Sequence, residues 1–255
     1  MLPAVALLAG GVVLAAEPEH PDFTGLWKAH RVPGQARSSG FSGAADGLPL
    51  TQEGKRRIEE YSKLLGPEKA NPAAYCVDYG VPKVMEMPGG YPLEFIQKPD
   101  QLTIIYEVEN ETRRIYIGDR QLPPDKRLPS RDGYSQGHWE GNVLVVKTTD
   151  MLDAEDQADH PHSDQAVIEE RFSLGKTDDG KKLIMYEATI TDPVYYTAPV
   201  KMSRQYEPLD GFIIPYRCPD EFWYSLLDMR RQQLKEGKPA DARMSDVYKA
   251  REAYE

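Results

Sequence analysis

The stretch GYSQGHWEGNVLVVKT, residues 133–148, decides the fold class. A run through His138-Trp139-Glu140 meets Gly141-Asn142, and the aliphatic run Val143–Thr148 follows. Gly-Asn at a two-residue turn supplies the positive φ of a tight hairpin, so the stretch predicts strand, turn and strand. The same pattern recurs on both sides. Upstream, Leu93–Gln97 and Leu102–Glu107 flank the turn pair Pro99-Asp100, and Glu109-Asn110-Glu111 leads into Arg113–Ile117. Downstream come Ala166–Leu174, Lys182–Thr191, Lys201–Glu207 and Phe212–Tyr216, with turns at Thr177–Gly180 and Leu209–Gly211. Asp22–His30, DFTGLWKAH, reads as the first strand. Short strands joined mostly by hairpin turns predict a mainly β fold, an antiparallel meander curled into a barrel-like sheet. No alternation of strand and helix points to a parallel α/β arrangement.

Two helical regions frame the strands. Thr51 is an N-cap residue, Ile58, Tyr61, Leu64 and Leu65 recur at helical spacing, and Gly66-Pro67 ends the run. Gly54 weakens the first turn. Residues 31–50 read as irregular, and residues 66–92, rich in Pro and Gly, as an ordered loop crossing the domain. Residues 220–255 read as helical and charged: Phe222, Trp223, Leu226, Leu227 and Met229 pack, and the remainder extends as a solvated tail.

The N-terminus carries an uncharged apolar run, LPAVALLAGGVVLAA (2–16), that breaks into Glu17-Pro18-Glu19. It is too short to span a bilayer, which takes about 20 residues, and it suits the apolar region of a secretory signal with small residues at Ala15 and Ala16. The expected organisation is a signal peptide at 1–16, one β-rich domain at 17–219 and a C-terminal helical segment at 220–255. That predicts a periplasmic or secreted protein without a transmembrane anchor. The net charge of −10 and the lack of a Lys/Arg stripe argue against nucleic acid as a partner. The chain has two cysteines, Cys76 and Cys218. In an exported protein they are expected to pair, and closing so long a loop constrains the unfolded chain by about 4–5 kcal/mol at most.

The motifs DFTGLW (22–27), PLTQEG (49–54), CVDYGVP (76–82), YPLEFIQKP (91–99), RRIYIGDR (113–120), GYSQGHWEGNVLVV (133–146), HPHSDQAVIEER (160–171) and DPVYYTAP (192–199) together resemble a widespread group of exported bacterial β-rich proteins of lipocalin-like size. The resemblance implies a lone barrel-type domain and export, and no particular activity. The related pattern has His at the positions of Tyr134 and Val167 and Glu at the position of Asp164; His162 is retained.

Candidate chemistry centres on residues 150–171. His160 and His162 have strand spacing and face one side of an extended segment. Beside carboxylates they are weak candidates for a metal, and a solvated acidic loop is the simpler reading. His162 also suits proton transfer near neutrality. Asp164 would orient it, and Tyr134 and Arg114 would stabilise developing negative charge. Glu170-Arg171 and Arg113-Arg114 read equally as structural ion pairs across strands. The chain holds 15 Tyr against 6 Phe. Tyr91, Tyr106, Tyr116 and Trp139, with Glu170 and Arg171, would line a cavity for a small apolar or aromatic molecule. Three functions follow: a cofactor-free lyase, isomerase or hydrolase using His acid–base chemistry, a hydrophobic-ligand carrier, or an envelope-associated structural protein.

Overall fold

The computed structural model describes residues 20–31, 47–66, 76–86, 90–154, 161–215 and 221–252. The expected signal segment, His160 and Cys218 therefore lie outside the described residues. Cys76 is disulfide-bonded, and Cys218 is the only other cysteine of the sequence.

Nine strands close in chain order into a barrel: β1 (Gly25–Ala29), β2 (Leu93–Lys98), β3 (Gln101–Tyr106), β4 (Thr112–Ile117), β5 (Tyr134–Glu140), β6 (Val143–Thr149), β7 (Val167–Lys176), β8 (Lys182–Thr191) and β9 (Val200–Pro208). The hairpin that decided the fold class stands as read, with Glu140 opposite Val143 and Gly141 at φ 58°. Closure comes from β9 returning to β1, where Trp27 meets Pro208 and Ala29 meets Tyr206. Closure also explains one correction. The strand expected at Phe212–Tyr216 does not form across 212–215, and Phe212 is 86% exposed. With β8 on one side of β9 and β1 on the other, a further strand has no ladder to join.

One pair departs from the antiparallel meander. β4 and β5 run parallel, with Ile115–Ile117 beside Ser135–Gly137. A parallel neighbour requires the chain to return to the end it started from, and residues 118–133 make that return. Pro123, Pro124 and Pro129 deny this segment backbone donors, so it passes as an irregular strap. Gly133 ends it at φ 61°, where a Cβ would stand 2.3 Å from the Thr149 carbonyl oxygen. Only glycine lets the strap lie that close to β6.

The barrel is filled by side chains. Phe23, Phe95, Phe172, Tyr186 and Tyr206 form a chain of ring contacts with centroids 5.0 to 6.4 Å apart, a spacing favourable for tilted aromatic pairs. Trp27 is buried among them and donates its indole N–H to the Phe23 carbonyl at 2.9 Å.

The helix α1 (Gln52–Leu65) is capped as expected: Thr51 Oγ1 accepts from Gly54 N at 3.0 Å and donates to the Val194 carbonyl at 2.6 Å. Gly54 has a reason beyond helix propensity, since a Cβ there would meet Tyr195 O at 2.6 Å. The solvated C-terminal tail is corrected. Helices α2 (Glu221–Lys235) and α3 (Met244–Glu252) pack together through Leu226, Ala242 and Val247. Trp223 and Leu227 pack on Leu64 and Leu65 of α1. Arg230 holds the arrangement, donating to the carbonyls of Leu65 at 2.6 Å and Ala242 at 2.9 Å. Arg230, within the stretch read as a charged, solvated tail, thus caps helix α1. Among the described residues no helix is long and apolar enough to cross a membrane.

Candidate functional site

A polar network crosses five consecutive strands inside the barrel. Arg113 of β4 is 1% exposed and Glu170 of β7 is 0% exposed. Arg113 Nη1 donates to Glu170 Oε1 at 2.8 Å, and Nη2 donates to Glu170 Oε2. Nη2 also reaches Ser135 Oγ of β5 at 2.9 Å and Thr148 Oγ1 of β6 at 2.8 Å. Tyr186 of β8 donates its hydroxyl to Glu170 Oε1 at 2.9 Å. Burial works against the Arg113 charge, but Glu170 outweighs it and holds the guanidinium above its ordinary pKa. Burial, followed by the Glu170 charge, pushes the Tyr186 phenol up. Every strand contributes one polar group to a set that satisfies itself, which is the condition under which a buried network is stable.

The wall is open beside this network. The β4–β5 ladder stops at Ile115 and Ser135. Beyond it, residues 112–114 and 132–134 border a cleft of about 240 Å³. Arg113 and Ser135 form part of its lining, so the cleft meets the network directly. Tyr116 and Tyr134 stack on its side with centroids 5.8 Å apart. The Arg127 guanidinium lies 4.2 Å from the Tyr134 ring and donates to the Leu122 carbonyl at 2.8 Å. Arg114 and Lys126 complete the cationic side, and Asp132 supplies a carboxyl group. A second cleft of about 280 Å³, bordered by Val77, Asp78, Leu152 and Tyr224, shares Ser130 and Asp132 with the first.

The four residues expected to act together fall in two places. Tyr134 and Arg114 share the first cleft, while His162 and Asp164 line neither cleft. His162 is 1% exposed, and neither ring nitrogen has a hydrogen-bond partner among the described residues. Burial lowers its pKa to about 4, against the opposing pull of Asp192. Asp164 points to solvent and does not orient the imidazole. The nearby carboxylate is Asp192, which is occupied in accepting from Ser163 N at 2.6 Å and Ser163 Oγ at 2.9 Å. The Tyr134 hydroxyl is also engaged: it donates to Gln136 Oε1 at 2.7 Å and accepts from Leu122 N at 3.2 Å.

The expected ligand-binding residues are scattered. Tyr106 is in the core with its hydroxyl 2.9 Å from Met85 Sδ, and Tyr91 packs half-buried against the core. Trp139 stacks between Phe23 at 5.8 Å and His20 at 4.4 Å. Glu170 belongs to the network, whereas its neighbour Arg171 faces outward and pairs with Glu140 at 3.0 Å. Of that set, Tyr116 alone lines the first cleft. Among the described residues no three His, Cys, Asp or Glu are grouped to hold a metal.

Sequence reasoning missed Glu111 and Asp132; it read Arg113 and Glu170 as members of structural ion pairs across strands, without pairing the two with each other. A signal for Arg113 was present: it alternates with Ile115 and Ile117, and Glu170 alternates with Ile168 and Phe172. Opposite charges at inward positions of two strands mark a buried pair. No family model and no curated protein matches the sequence.

Proposed function

We propose that the protein is an exported barrel that binds a small molecule in the cleft between β4 and β5. The ligand combines an anionic group with a flat apolar or aromatic part. The observation that carries this reading is the concentration of Arg114, Lys126 and Arg127 around the stacked Tyr116 and Tyr134, in a chain of net charge −10. Cations gathered in a concave site focus the field on an anion, and guanidinium groups match a carboxylate in two-point geometry. The cleft volume is below the roughly 300–1,000 Å³ of drug-sized pockets, which favours a ligand of one ring. The cleft is preferred over the barrel lumen because aromatic side chains occupy the lumen.

Titration calorimetry with phenylacetate tests the reading. Binding is expected, and Arg114→Ala should weaken it about 10- to 100-fold, the worth of one charge-assisted hydrogen bond. Equal affinity for the variant and the parent would sink the assignment of the cleft. Export is part of the same proposal and is supported by the apolar leader and the cysteine pair. The intact mass of protein expressed with its leader in a Gram-negative host reads it out. Loss of residues 1–16 is expected, with the mass of two hydrogens gained on reduction. A full-length chain with two freely alkylated thiols would overturn it.

A further inference from the structure

The carboxyl groups of Glu111 and Asp132 lie within hydrogen-bonding reach of one another at the edge of the cleft. Glu111 is 2% exposed, and its oxygens accept from Tyr79 N at 2.9 Å and Gly80 N at 3.0 Å. Asp132 is half-buried and lines the cleft, but its Oδ1 is enclosed and has no N–H or O–H donor among the described residues. An enclosed acceptor without a donor is unfavourable. One proton on Glu111, donated to Asp132, removes that penalty. Burial and then the Asp132 charge push the Glu111 pKa well up; burial also raises Asp132, with Arg113 pulling the other way. Two carboxyl groups this close in a dry setting do not both ionise. The pair therefore holds one proton and one negative charge.

A carboxylate on a cleft wall beside guanidinium groups has the parts needed to remove a proton from carbon. A base is present, and cations line the same cleft, where they can stabilise an enolate oxygen. Ser135, the hydroxyl of the cleft's lining nearest to a nucleophile, is held by Arg113 and Thr148. This composition favours proton transfer over acyl transfer.

We propose that Asp132 is a catalytic base that moves a proton at C3, the carbon next to the ketone, of a small aromatic 2-oxo acid held in this cleft, with Glu111 as its positioning residue. The proposal rests on the binding reading above. In the step, the C–H bond next to the ketone breaks and its electron pair forms the C=C bond. The carbonyl π pair moves to oxygen as an enolate, and the proton passes to Asp132. Arg114 holds the ketone oxygen and stabilises it as the enolate, while Lys126 and Arg127 hold the substrate carboxylate. Return of the proton to carbon restores the keto acid, and its return to oxygen gives the enol. Nothing else is consumed.

Phenylpyruvate in D₂O is the probe, with the benzylic proton signal followed by NMR. The protein is expected to speed exchange above the buffer rate. Asp132→Asn should lower that rate about 100-fold or more and still bind phenylpyruvate in calorimetry. If Asp132→Asn does not fold, the wild-type profile carries the test: exchange falls as acid protonates the carboxylate while binding persists, and a flat profile overturns the proposal. Glu111→Ala should move the acid limb to higher pH, and Glu111→Gln, which keeps a donor, should restore it; an unmoved limb removes Glu111 from its role. Phenylpyruvate that binds in an Arg114-dependent way but exchanges at the buffer rate defeats the catalytic proposal alone. No binding at all defeats the cleft reading with it.

Discussion

Glu170→Ala lowers the free energy of unfolding by about 3–5 kcal/mol or leaves no folded protein. The magnitude follows from what remains behind. Arg113 keeps its charge at any accessible pH, and its side chain is enclosed by the barrel. Without Glu170 it retains Ser135 and Thr148 as acceptors, but neither hydroxyl carries charge. An ion stranded in the core costs far more than a neutral group left short of a partner. The comparison variant sharpens the argument. Arg113→Met with Glu170→Leu removes both charges and keeps the volume, and it should recover most of the loss, because burying the pair gained little over an apolar filling. Urea unfolding followed by tryptophan fluorescence measures both variants. A single substitution as mild as the double one would mean that Arg113 finds water on unpairing, and that the cleft reaches deeper into the barrel than its lining shows.

The same pair shows which parts of the molecule the sequence makes legible. Local signals carried through: Gly141-Asn142 made its hairpin, Thr51 made its cap, and the strands fell where β-branched residues alternate. Each depends on neighbours within a few residues. The parallel β4–β5 pair did not show, because the strap at 118–133 has the length and proline content of an ordinary loop, and its direction is set by where the closed barrel leaves a gap. The site was hidden for the same reason. Glu111 and Arg113 stand at the start of β4, and Asp132 and Ser135 at the start of β5; only the strap and the incomplete ladder bring these two places together at one cleft. His162 stood out by type, since histidine titrates near neutrality, and by its place in a motif. Its packing was not written in either.

That packing makes stability depend on pH. His162 is enclosed, neither ring nitrogen finds a partner among the described residues, and burial brings its pKa to about 4 from the ordinary value of 6.5. Asp192, Asp153 and the Ser163 carbonyl favour the cation, and Arg131 opposes it; burial outweighs their sum. The folded protein thus binds the imidazole proton less readily than the unfolded chain. Between the two pKa values the unfolded state holds more protons, so stability rises with pH there. The contribution is fully present above pH 6.5 and is lost as pH falls toward 4, and the shift corresponds to about 3 kcal/mol. Glu111 and Asp132 act in the opposite sense in acid, because folding raises their pKa values. The quantity to read is therefore the difference between the parent and His162→Leu, which removes the proton site and keeps an apolar filling. Urea titrations at pH 7 and pH 4.5 should show the parent losing most of those 3 kcal/mol relative to the variant. A difference that is the same at both pH values would mean that the imidazole is already satisfied in the folded state, and would remove burial as the cause of its neutrality.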